Sequence, residues 1–109
     1  MATVEDLLTL DVRVGTVVAA EPLRGARNPA FALRVDFGPL GLRTSSARIS
    51  DLYEPGDLVG LQVVAVVNFP PRTVAGFSSE VLVLAVEDGR GSQVLLMPER
   101  PVPDGGKVS

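Results

Sequence analysis

Three features of this sequence predict an all-β fold, a small five-stranded barrel carrying one short helix. Two Val- and Leu-rich runs, Val63–Val67 and Val81–Val86, bracket a loop rich in Pro, Gly and Ser. Apolar runs of this length between turn signals, with Val prominent, read as buried strands rather than helices. Upstream, Phe31, Leu33, Val35 and Phe37 alternate with Ala32, Arg34 and Asp36, the two-residue period of a strand with one apolar face. Finally, Gly15 interrupts an alternating stretch, as at a bulge or sharp bend that lets a small sheet coil into a barrel.

Taken in order, Thr3-Val4-Glu5-Asp6 has the spacing of a capping box and predicts a short helix over about residues 4–8. Leu10–Val18 forms the first strand, with Leu10, Val12 and Val14 on one face. Glu21–Asn28 holds Pro, Gly and Asn within eight residues and reads as a loop, with Arg24 and Arg27 at its tip. The alternating segment Phe31–Phe37 is the second strand. Gly38-Pro39-Leu40-Gly41 is short enough that Leu42–Ala47 should return as its hairpin partner, with Leu42 and Thr44 on one side and Arg43 and Ser45 on the other. Arg48–Tyr53 fits one or two helical turns, ended by Pro55-Gly56. The Leu58–Val67 strand must stop at Asn68, because Pro70 and Pro71 cannot donate to a ladder. Val81–Val86 follows, Asp88-Gly89 turns the chain, Gln93–Met97 makes a last short strand, and an irregular tail begins after Pro98. Five or six strands with a helix between the third and fourth match the OB-fold, the five-stranded Greek-key barrel. An SH3-like barrel or small sandwich fits the strand count but not the placement of the helix. Residues 1–109 read as one domain, without repeats or low-complexity segments.

Composition narrows the chemistry. The chain has no His and no Cys, so the usual Zn ligand sets and the Ser-His-Asp and Cys-His catalytic arrangements are absent. Its one lysine, Lys107, lies in the tail. No pair among the thirteen acids stands out as catalytic, so no enzyme, metal or cofactor is expected. There is no charged leader before an apolar segment and no apolar stretch long enough for a bilayer, so a soluble cytoplasmic protein without membrane insertion is expected. The net charge of −3 hides an uneven distribution: residues 12–50 carry six arginines against Glu21 and Asp36, whereas both flanking segments are acidic. Local field governs anion binding more than net charge does. Arg also suits bidentate phosphate contacts, although a preference for Arg over Lys has other origins as well.

On an OB barrel the ligand face comprises strands two and three with the loops between strands one and two and between strands four and five. This places Arg24, Arg27, Arg34, Arg43 and Arg72 on one wall, a track for RNA phosphates. The plainer alternative is that Arg34 and Arg43 are ordinary outward residues, paired with Asp36. Phe69 and Phe77 flank the same loop and either contact bases and apolar side chains or close the barrel end. With no Trp, one Tyr and four Phe, stacking platforms are scarce. That composition favours shape recognition or peptide binding over a sequence-blind single-strand binder.

Asp11-Val12-Arg13-Val14-Gly15 resembles the opening of the tRNA-binding domain family, found at the C-termini of some methionyl- and phenylalanyl-tRNA synthetases and in free-standing proteins. The segments 66–72 and 76–84, with 95–98 and 101–105, look closest to its CsaA branch. The resemblance runs from about residue 8 to the end. It implies an OB-fold core with terminal extensions that form a homodimer, no catalytic activity, and two roles: a chaperone for unfolded or secretory polypeptides, and tRNA binding. Asn68 and Ser79 match positions of the family's loop motif and join the five arginines as expected RNA contacts. Phe69, Val74 and Phe77 are the expected peptide contacts. Where the family commonly has Gln, Met and Lys, this chain has Glu80, Leu82 and Thr73, which leaves one cation fewer and one acid more beside the loop. Asn68 and Ser79 are equally suited to bonding loop backbone, and Asp11 with Arg13 to an internal ion pair.

Overall fold

The structure, a computed structural model, describes residues 1–109. Helix α1 (Val4–Leu8) opens with the expected capping box: the Thr3 hydroxyl accepts the Asp6 N–H, and the Asp6 carboxylate accepts the Thr3 N–H. Five strands make the main sheet: β1 (Val12–Pro22), β2 (Phe31–Asp36), β3 (Leu42–Ala47), β4 (Gln62–Val66) and β7 (Leu82–Val83). Their spatial order is β3-β2-β1-β4-β7, every neighbour antiparallel. A hairpin of β5 (Arg72–Val74) and β6 (Phe77–Ser79) precedes β7, and a second one, β8 (Ala85–Glu87) with β9 (Gln93–Leu95), follows it.

The sheet shuts on itself at β3. The N–H groups of Glu80 and Val81 both donate to the Thr44 carbonyl, at 2.9 and 3.0 Å. The Glu80 carboxylate accepts the Thr44 N–H and hydroxyl at 3.1 and 2.9 Å, and the Val83 N–H reaches the Ser45 hydroxyl at 3.4 Å. Side chains thus replace part of a regular ladder at this seam, and the result is an OB-type barrel. Phe31, Leu33, Val35 and Phe37 fill it as their alternation requires, together with Val17, Leu58, Val63, Ala65 and Val83.

Strand β1 serves two partners, β4 along Val12–Thr16 and β2 along Thr16–Pro22. Its bulge lies at Val18, where the register with β2 shifts, and not at Gly15. Gly15 has a different task. A Cβ there would sit 2.7 Å from Phe37 Cδ1 and Val35 Cγ1 and 2.8 Å from the Asp36 carbonyl, so β2 crosses β1 too closely for any side chain.

The tail expected to be irregular is a strap. Where β2 leaves β1, the Val14 N–H donates to Gly106, and the Gly105 and Val108 N–H groups donate to Val14 and Val12, all within 2.7–2.9 Å. The Gln62 amide holds the Val102 backbone from both sides, and Asp104 accepts the Thr16 hydroxyl at 2.6 Å.

Two other expectations are corrected. The short helix, α2 (Pro55–Leu58), begins at Pro55 instead of ending there, because a first-turn proline lacks only an N–H that has no helical partner. The run Val81–Val86 is not one strand. It breaks at Leu84, whose N–H returns to Val64, and the remainder pairs with β9. No helix is long and apolar enough to cross a membrane.

Candidate functional site

The segment read as a loop between Asn68 and Glu80 contains the β5/β6 hairpin, whose three-residue strands are too short to show a period. Its turn is Ala75-Gly76, both with positive φ (50° and 80°), the two-residue geometry whose twist matches flanking strands. Arg72 lies opposite Ser79 and Val74 opposite Phe77, so these four side chains share one face, and Thr73 and Ser78 take the other. The hairpin tip meets the loop after β1: a Cβ on Gly25 would come 3.9 Å from that of Ala75.

Around this meeting point lie two concavities. The larger, a groove of about 760 Å³, runs between the loop after β1, the end of β3 and its following turn, β5, and residues 82–85. Arg27, Arg48 and Arg72 reach it from three separate segments, with Asp51 as its one acid. The ion pairs of the molecule are Arg13–Asp11, at 2.6 Å, and Arg100–Glu99 on the exposed tail, so no carboxylate ties up the groove arginines. Polar and apolar residues line the groove in equal measure: Val74 and Leu84 are its more accessible apolar side chains, Ile49 and Val83 lie nearly buried beneath them, and no aromatic residue lines it. The smaller concavity, about 350 Å³, lies against Glu21, Arg24, Ala32, Ala75 and Phe77. Chemically, the groove offers three guanidinium groups beside a mixed polar and apolar surface.

A family model described as "Putative tRNA binding domain" matches residues 12–107. The chain belongs to the tRNA-binding domain family. Within the family it is of the CsaA type. The crystal structure of chaperone CsaA from Bacillus anthracis superposes with a TM-score of 0.94 at 56% identity, covering 100% of this chain and 99% of that one. The CsaA chaperone protein of Picrophilus torridus gives 0.92 at 38%, covering both chains completely. Among curated proteins, a methionine–tRNA ligase of Porphyromonas gingivalis is 42% identical over 104 residues, which is 95% of this chain and 15% of the ligase. The chain therefore spans only a small part of the ligases it matches.

For this tRNA-binding domain, the expected site residues do not gather as one set. Arg27 and Arg72 enter the groove, and Arg24 borders the smaller concavity beside it. Arg34 stands exposed on the outer face of β2 and lines neither. Arg43 corrects the single-wall reading. It lies opposite Val35 on the core-facing side of the sheet, whereas Arg34 lies opposite Thr44 on the outer side, and its Nε donates to the Leu40 carbonyl. The same register leaves Leu42 outside and turns Ser45 inside, where its hydroxyl accepts the Val83 N–H at the barrel seam.

Asn68 and Ser79 are occupied. The Asn68 side chain accepts the Asp11 N–H and donates to the Thr9 carbonyl, fastening the end of β4 to the start of β1. Ser79 is 3% exposed, and its hydroxyl accepts the Ser46 N–H at 2.9 Å. Of the expected peptide contacts, Val74 lines the groove and Phe77 the smaller concavity, while Phe69, 41% exposed, borders neither. Arg13 is spent on Asp11 and on the Gly105 carbonyl of the strap.

Arg48 is the groove cation that the sequence reading missed. The signal was available: in an antiparallel β2/β3 hairpin, the end of β3 must lie beside the start of β2. Arg48 therefore has to emerge next to the Arg27 loop.

Proposed function

We propose that this tRNA-binding domain protein is a non-enzymatic, CsaA-like chaperone that holds unfolded or secretory polypeptides in the larger groove. The composition of that groove carries the proposal. A lining of mixed polar and apolar side chains, without aromatic residues, suits the mixed side chains of an unfolded polypeptide, and its arginines hold carboxylates and carbonyls. The likeness to two CsaA chaperone structures along the full chain supports the same reading. Val74→Asp replaces an apolar side chain of the groove by a charge and should weaken suppression of a model client's aggregation. Unchanged suppression would remove the groove from the chaperone function.

A second reading, tRNA binding, is favoured by the convergence of three unpaired arginines from separate segments. Three phosphate contacts predict a slope of about −2 to −3 for log affinity against log salt, steeper than for a polypeptide held partly through apolar side chains. Arg27→Glu combined with Arg72→Glu should abolish tRNA retention at low salt. Retention by that variant would exclude this reading.

The outer face of the β8/β9 hairpin supports a homodimer. Val86 lies opposite Val94, and Leu96 follows Val94 by two residues, so these three share one side, with Val86 53% and Leu96 41% exposed. Strands apolar at consecutive positions are those covered on both faces. A second copy supplies the missing cover, and a monomer mass in light scattering at micromolar concentration would refute it. Cytoplasmic location belongs to the same proposal.

A further inference from the structure

The smaller concavity differs in chemistry from the groove. Its base is Ala32, 7% exposed, one wall is Phe77, and Glu21 and Arg24 stand at the rim. Glu21 and Ala32 are cross-strand partners in the β1/β2 ladder, so both side chains rise from one face of the sheet. The two ion pairs of the molecule leave the Glu21 carboxylate without a cationic partner, even though Arg24 borders the same space. A volume of about 350 Å³ is small for a polymer and sufficient for one flat ring system.

The Glu21 carboxylate is exposed and free to accept hydrogen bonds, and an acceptor beside phosphate-binding arginines is suited to the donors of a base rather than to phosphate. Two carboxylate oxygens accept two parallel N–H groups. Among the four RNA bases, guanine alone presents two adjacent donors, N1–H and the 2-amino group, on its Watson–Crick edge. Adenine, cytosine and uracil each set an acceptor beside the donor and would face the carboxylate with a lone pair. Single-stranded bases are read on this edge while stacked on an aromatic face.

We propose that this concavity is a guanine pocket, in which Phe77 supplies the stacking face, Glu21 the two acceptors and Arg24 a phosphate contact. The proposal rests on the tRNA-binding reading and adds a base preference to it. Arg24 and Arg27 lie on either side of Gly25, where the loop meets the hairpin tip, so one loop serves both concavities. A strand crossing that point would place a base in one and phosphates in the other.

The test is fluorescence anisotropy at low salt with three labelled RNAs, UUGUU, UUAUU and UUCUU, alongside bulk tRNA. Wild type should bind UUGUU about tenfold or more tightly than the other two, the discrimination of one bidentate base contact. Glu21→Gln exchanges one acceptor for a donor at an exposed position, and should abolish that preference or turn it toward adenine. Phe77→Leu should weaken all three. Equal binding of the three RNAs by wild type overturns the proposal, as does a guanine preference that survives Glu21→Gln. If tRNA binds while the pentamers show no preference, only the pocket falls. If neither tRNA nor any pentamer binds, the pocket and the tRNA-binding reading fall together.

Discussion

Ser79→Ala separates a ligand contact from a structural bond. The Ser79 hydroxyl accepts the Ser46 N–H at 2.9 Å, lies 3.3 Å from the Ser46 hydroxyl and 3.4 Å from the Val81 carbonyl, and is sealed inside the seam where β6 meets β3. Alanine removes that acceptor and leaves one backbone donor without a partner at a half-buried position. The resulting loss is about 1–2 kcal/mol, toward the lower part of the range for an unsatisfied buried group, since Ser46 regains some water. For a domain of this size each kcal/mol lowers the melting temperature by about 4–8 °C. Urea titration should show a lower midpoint with an unchanged slope. Binding of tRNA or peptide to the folded variant, measured well below its melting temperature, should match wild type. A variant of wild-type stability that has lost binding would refute the argument and return Ser79 to the ligand site.

Gly15→Ala forces a methyl against Phe37, Val35 and the Asp36 carbonyl, the last of which is backbone and cannot rotate away. It should cost about 1–3 kcal/mol or more in urea titration, and a neutral result would mean that β1 and β2 separate freely at their crossing. Ala75→Asn should raise the melting temperature by a few degrees, since Ala75 holds φ +50° in a turn where Asn-Gly is the preferred pair. A lower melting temperature would show that the turn is not under strain.

The parts of the fold set by pattern were legible. Phe31–Phe37 announces one apolar face, and its short connection to Leu42 announces the hairpin; the structure has both. What misled was polarity without parity. Taking Leu42 as the apolar face of its strand sends Arg43 to the opposite face, outward. With Asp36 opposite Leu42, however, every residue of β3 has its side fixed, and Arg43 falls opposite Val35. Ser45 is buried for the same reason, and nothing in a polar strand reveals which face turns inward. Gly15 signalled a special backbone position without saying which kind, since a bulge and a close crossing both call for glycine. Pro55 likewise marks a helix boundary without stating whether it is the first or the last. Of the candidate site, Arg27 and Arg72 were found through the loops that carry them, while Arg48 was hidden by the assumption that its segment was helical. Asn68 and Ser79 matched a motif, but in this barrel they hold it shut.

The strap has a kinetic consequence. Arg13 bonds a carbonyl 92 residues away, and Thr16 a carboxylate 88 residues away. Contacts of such sequence separation pay their loop-closure entropy before they return any stability, and they slow folding. During synthesis the free margin of β1 stays open until residues 102–108 have left the ribosome, so a nascent chain halted before them displays an unpaired strand to its neighbours. A protein whose relatives are called chaperones thus passes through an interval in which it is itself exposed to aggregation.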